Sequence, residues 1–185
     1  MLCMLLLLSI GLVSVFAAPV PHPPLPIGCP GSPAPVHAQC IMTVRTPGHS
    51  CVAVWREIVE RIVLNEAGLW TDPRNRGSYR LMRADLDETV LGNRTTGDQL
   101  YTDLYTFGLA EDGEGGCIIE ACSQSQVFSI IDGSTNYCNL RNLYCGTSAG
   151  CVPVQHDMDF NETYIRCDQR DKDTCITISN ATDQH

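Results

Sequence analysis

The amino-acid sequence predicts an α+β domain: one amphipathic helix packed on a four-stranded antiparallel meander, with a disulfide-stapled irregular C-terminal region. Three observations carry this. Residues 50–65 hold apolar side chains at helical spacing, uninterrupted by Pro or Gly. Residues 78–123 break into four alternating runs joined by short turns. Beyond an apolar N-terminal run, ten cysteines are spread over residues 29–175.

The N-terminal run, residues 1–17, is apolar, uncharged and closed by the small residues Val15 and Ala17. This reads as a secretory signal peptide cut after Ala17. The run is shorter than the roughly 20 residues of a membrane span, so a retained anchor is the lesser reading. No later stretch is long and apolar enough to span a bilayer, so the protein is expected not to be membrane-spanning. Residues 18–39 form a leader that contains eight of the eleven prolines, an extended arm. A single domain covers residues 40–177, and residues 178–185 are expected to be a flexible tail.

Ser50 can cap the helix, and Val52, Trp55, Val59, Ile62 and Val63 form its apolar stripe. Arg56, Glu57, Glu60 and Arg61 fall mostly outside that stripe. The expected strands are Ser78 to Arg83, Glu88 to Thr95, Gln99 to Leu109, and Gly116 to about Ser123. In the third, Tyr101, Asp103, Tyr105, Phe107 and Leu109 share a face. Asp103 is the polar member of that face. It is a carboxylate whose pKa rises in an apolar pocket, the partner of Arg94 on the neighbouring strand, or a residue near an open edge. Residues 134–145 have room for a short helix. The rest of the C-terminal third coheres mainly through its cysteines.

Cys3 leaves with the signal peptide. The remaining Cys29, Cys40, Cys51, Cys117, Cys122, Cys138, Cys145, Cys151, Cys167 and Cys175 make an even set. In a secreted chain that is a framework of up to five bridges, with connectivity open. Cys117 and Cys122 point to opposite faces of a regular strand and so should reach different partners. No C-x-x-C or paired-histidine spacing supports zinc. Three sequons, at Asn93, Asn161 and Asn180, predict N-glycosylation.

The formal charge is −9, which disfavours a nucleic-acid partner. Residues 45–83 run against that balance, with seven Arg and four acidic residues. They form either a solvated surface or a patch for an anionic partner. Weak calcium binding has two candidate groups: Asp85, Asp87 and Glu88, or Asp168, Asp171 and Asp173. Neither fits an EF-hand loop. Gly146-Thr147-Ser148-Ala149-Gly150 matches the G-x-S-x-G string, but Cys151 and Pro153 leave no helix after Ser148. The pair His156-Asp157 lacks the cysteine pattern of secreted phospholipases. No catalytic residue and no cofactor are expected.

A helix followed by a four-stranded meander resembles the cystatin-like or helix-grip layout. The cystatin signature would need a closing Gly that Gln124-Ser125-Gln126-Val127-Phe128-Ser129 does not have. The segments Arg94-Thr95-Thr96-Gly97, Tyr101-Thr102-Asp103-Leu104, Ala121-Cys122-Ser123-Gln124-Ser125-Gln126 and Asn136-Tyr137-Cys138-Asn139-Leu140 resemble those of an uncharacterised family of small secreted cysteine-rich proteins. That resemblance implies a shared fold and no activity.

The function expected is that of a secreted, non-enzymatic extracellular glycoprotein with a binding or structural role and an unknown partner. Trp55, Tyr101, Asp103, Tyr105 and Phe107 are the candidate pocket for a small apolar ligand, although a packed core is the ordinary use of such residues. The alternatives are an acidic extracellular-matrix or mineral-associated protein, and a protease inhibitor.

Overall fold

A computed structural model describes residues 28–86 and 88–177. The run expected to be a signal peptide, the first part of the leader, Asp87, the expected tail and its sequon at Asn180 lie outside the described residues.

The fold corrects the predicted layout. The described residues form one six-stranded antiparallel sheet and two short α-helices. In chain order the elements are β1 (Gln39–Thr46), α1 (Cys51–Glu66), β2 (Ser78–Asp85), β3 (Thr89–Thr95), β4 (Thr102–Glu111), β5 (Cys117–Ser125), α2 (Thr135–Arg141) and β6 (Asn161–Cys167). The sheet order is β2-β3-β4-β5-β1-β6. Two strands absent from the expected meander extend it past β5. β1 follows the Pro-rich arm directly, in a stretch to which no element was assigned, and β6 lies in the supposedly irregular region.

β1 alternates strictly, with Cys40, Met42, Val44 and Thr46 buried. It pairs with β5 from Gln39↔Gln124 to Thr46↔Cys117. β6 is largely polar, its residues exposed or half-buried, with Ile165 and Cys167 packed against the core. Backbone pairing with β1 holds it, together with the carboxylate of Glu162. That group accepts hydrogen bonds from Tyr137 Oη (2.9 Å) and Tyr144 Oη (2.9 Å).

Both helices pack on one face of the sheet. The Oγ of Ser50 accepts from the Ala53 amide and caps α1. The buried stripe of α1 is Cys51, Val54, Ile58 and Ile62, rotated from the one expected, and Val63 is exposed. Glu57 and Arg61 are fully buried as well, against expectation. They are covered because residues 142–156 fold over that flank of the helix. The Glu57 carboxylate accepts from the amides of Val154 (2.9 Å), Gln155 (2.6 Å) and His156 (2.7 Å). Arg61 donates to Glu57 (2.6 Å) and to the carbonyls of Asn142 (2.8 Å) and Cys145 (2.8 Å). The C-terminal third therefore coheres through buried charge and backbone bonds, not through its cysteines alone.

All ten cysteines pair: Cys29–Cys122, Cys40–Cys167, Cys51–Cys117, Cys138–Cys175 and Cys145–Cys151. Cys117 and Cys122 do reach different partners. Cys51–Cys117 ties the first turn of α1 to the core face, whereas Cys29–Cys122 pins the arm to the opposite face. There the Gly31 amide donates to Gln124 Oε1 (2.8 Å). A framework this dense is typical of extracellular proteins.

The bridges are not equivalent. Cys145–Cys151 closes only six residues, so replacing both by Ser is expected to cost about 2 kcal/mol, at the low end for a disulfide. A urea midpoint read by tryptophan fluorescence checks this, and a collapse of the fold would contradict it.

Candidate functional site

β4 begins beside a cleft. Its floor is Asp103. One wall is the β3–β4 turn, with Thr96, Asp98 and Tyr101. The other is the segment after β5, with Ser129, Ile131 and Asp132. The cavity volume is about 190 Å³.

Local chemistry sets each wall. In the turn, the Thr96 amide donates to the Tyr101 carbonyl (2.9 Å). Asp98 Oδ1 accepts from Thr96 Oγ1 (2.5 Å) and the Leu100 amide (3.1 Å), which holds its pKa below the usual carboxylate value. Gly97 permits a close approach, since a Cβ there would lie 2.0 Å from the Asn75 carbonyl oxygen. On the other wall Asp132 precedes α2. Its Oδ1 accepts from the Ser134 amide (3.0 Å) and its Oδ2 from the Asn136 amide (2.9 Å).

Asp103 differs from these two. It is 1% exposed, and only Oδ2 is bonded, to Asn139 Nδ2 at 2.7 Å. Oδ1 is buried with no hydrogen-bond partner. Burial raises its pKa, and the Ser125 hydroxyl opposite it, the Asn139 bond and the Arg94 charge oppose this only in part. The expected pairing with Arg94 needs correction. The register does place Arg94 opposite Asp103. The guanidinium, however, turns to Asp72, to which Nε donates at 3.1 Å, and lies over the Tyr79 ring. Gly77 makes room for it, because a Cβ there would meet the guanidinium carbon at 2.4 Å.

The candidate pocket residues therefore separate. Tyr101 and Asp103 line the cleft. Tyr105 and Phe107 are fully buried and packed edge to face at 5.9 Å, with Tyr79 against Tyr105 at 5.8 Å. Trp55 is half-buried on α1, packed against the core, and does not line the cleft. The sequence reading missed Thr96, Asp98, Ser129, Ile131 and Asp132. They come from turns, where residue type marks a loop but not its direction.

The other sequence candidates are placed as follows. Asn93 lies half-buried on β3, and Asn161 is exposed at the start of β6. Ser148 sits in a 3-10 turn, Thr147–Ala149, between Cys145 and Cys151, with no strand leading into it. Asp85 accepts from Thr89 Oγ1 and pairs with Arg83, whereas Asp168 and Asp171 accept from backbone amides. Among the described residues no group of three or more His, Cys, Asp or Glu is arranged to hold a metal ion. Within the basic stretch, Arg45 pairs with Asp112 and Glu114, and Arg61 with Glu57. Among the described residues no helix is long and apolar enough to cross a membrane.

No protein-family model matches the chain, and no curated protein matches it significantly. Among solved structures, a crystal structure of the Mll3558 protein from Rhizobium loti is similar at 13% identity and a TM-score of 0.41, over 58% of this chain and 92% of that one. That similarity is too low to carry fold or function to this chain.

Proposed function

We propose that the chain is a secreted, N-glycosylated, non-enzymatic protein that binds an extracellular ligand at the cleft over Asp103. One observation carries the site: a buried carboxylate oxygen with no partner at the floor of an open cavity. Leaving such a group unsatisfied costs about 1–3 kcal/mol, more when it is charged, so an incoming donor is favoured there. Asp98 and Asp132 on the two walls make that donor a cation.

The remaining parts of the reading have their own support. The apolar N-terminal run and five disulfides support secretion. Exposed Asn161 supports glycosylation. Ser148 in a disulfide-bounded turn offers no nucleophile elbow. The volume also bears on the ligand. Pockets for drug-sized molecules enclose about 300–1,000 Å³; this cleft encloses about 190 Å³ and has a polar floor. It suits a small cationic group better than the apolar ligand first expected.

Titration with ethylammonium chloride at constant ionic strength, followed by amide NMR shifts, tests the site. Shifts are expected within residues 96–103 and 129–135 and lost in Asp103→Asn. The sign with pH follows from the raised pKa of Asp103. Its ionised form binds the cation, so binding weakens as pH falls through a value above the ordinary carboxylate range. The same raised pKa means that ionised Asp103 costs stability at neutral pH. Asp103→Asn is therefore expected to melt no lower than the parent at pH 7. Shifts scattered over the surface, or unchanged in Asp103→Asn, would remove the cleft from consideration.

A further inference from the structure

The cleft has an apolar rim whose side chains face solvent. Phe128 is 64% exposed and Ile131 78%, and Leu100, Val127 and Ile130 are exposed too. They lie on the two segments that form the cleft walls. Folded monomers rarely gather large apolar side chains on one exposed patch unless that patch meets something.

The rim is held in place. The Gln126 amide donates to the Thr102 carbonyl (2.9 Å), and the Ser129 amide to the Val36 carbonyl (3.3 Å). Ser129 Oγ accepts from the Ala38 amide (2.9 Å), and the Asp132 amide donates to Gln169 Oε1 (3.0 Å). The polar members of the loop are thus bonded to the body of the protein while its apolar members face out. The usual distribution is inverted, and the ordering cost that a partner would otherwise impose is already met.

We infer that cleft and rim together dock a polypeptide that inserts one lysine or arginine side chain toward Asp103 and lays apolar neighbours on Phe128 and Ile131. This rests on the cleft reading above. Charge complementarity selects the occupant. No Lys or Arg lines the cleft, and three carboxylates do. The volume matches a side chain better than a free drug-sized ligand. An anionic membrane surface would be repelled by the same carboxylates.

Selection of short random peptides displayed on phage, against the full disulfide-bonded protein, tests this. Enriched peptides are expected to carry Lys or Arg flanked by apolar residues. A synthetic peptide of that sequence is expected to bind Asp103→Asn at least about 30-fold more weakly, the lower range for losing one partner of a buried charge pair. Phe128→Ser with Ile131→Ser should also weaken it, and both side chains are exposed enough for the fold to tolerate the change. Enriched peptides without a basic residue, or equal binding by Asp103→Asn, overturn the inference. So does co-sedimentation with phosphatidylcholine or phosphatidylserine vesicles that depends on Phe128 and ignores Asp103, which would make the rim a lipid contact. Ethylammonium binding without any selected peptide leaves the cleft standing and removes the polypeptide. Failure of both removes the cleft as well.

Discussion

Arg61→Met is expected to lower the unfolding free energy by about 3–5 kcal/mol, the range for breaking a buried ion pair. The substitution keeps most of the side-chain volume, so the loss reports charge. Glu57 would remain fully buried without its cation, and the carbonyls of Asn142 and Cys145 would lose their donors. Glu57→Gln combined with Arg61→Met is expected to recover part of the loss, because no uncompensated charge then stays inside. Urea unfolding read by fluorescence checks both, since Trp70 lies against Arg61 at 6.0 Å. An unchanged midpoint for Arg61→Met would show that the pair does not hold the C-terminal region. Acid should act on the same bond. Burial pushes the Glu57 pKa up, but Arg61 and three backbone amides outweigh it and bring it below its usual value. A depressed carboxyl contributes stability that is present above its unfolded pKa of about 4.3 and lost as pH falls through the folded value. In Arg61→Met the largest opposing influence is gone, so acid unfolding should begin at higher pH.

Replacing Cys40 and Cys167 together by Ala is expected to cost about 2–5 kcal/mol, and the damage should be local first. The bond joins directly opposed residues of β1 and β6. β6 buries little apolar surface beyond Ile165, so without the bridge it depends mainly on backbone pairing and on Glu162. Hydrogen exchange should show residues 161–167 losing protection while β3 and β4 keep theirs. Uniform loss across the sheet would mean that β6 is part of the global folding unit. A loosened β6 would also bare the edge of β1, whose alternating sequence is a template for pairing with other chains.

The legible parts of the fold were those with a strong period. The helix at 50–65 and the four runs between 78 and 123 lie within a few residues of α1 and β2 to β5, because apolar side chains mark their buried faces. β1 has an equally regular pattern in Cys40, Met42 and Val44, but the stretch between the Pro-rich arm and the helix was assigned no element. β6 could not be read this way, because a polar edge strand leaves no hydrophobic alternation. The burial of Glu57 and Arg61 escaped an amphipathic reading, which sends charge outward. Their i,i+4 spacing was the available signal. Asp103 was legible as the polar member of an aromatic face. Its cleft was not, since the opposite wall comes from residues after β5 that meet it only through tertiary folding.

The place of β1 in the sheet also governs how the protein is made. Ribosomes deliver chain at about 5–20 residues per second. Cys40 therefore waits roughly 6–25 s for Cys167, which lies 127 residues later, at that rate of synthesis. In that interval Cys51, Cys117, Cys122, Cys138, Cys145 and Cys151 emerge as competing thiols. β5 arrives first and can settle against one edge of β1, leaving the other edge open until the end of translation. The final strand closes the sheet, so a chain cut short before Cys167 would keep Cys40 and Cys138 as unpaired thiols and leave one edge of β1 open.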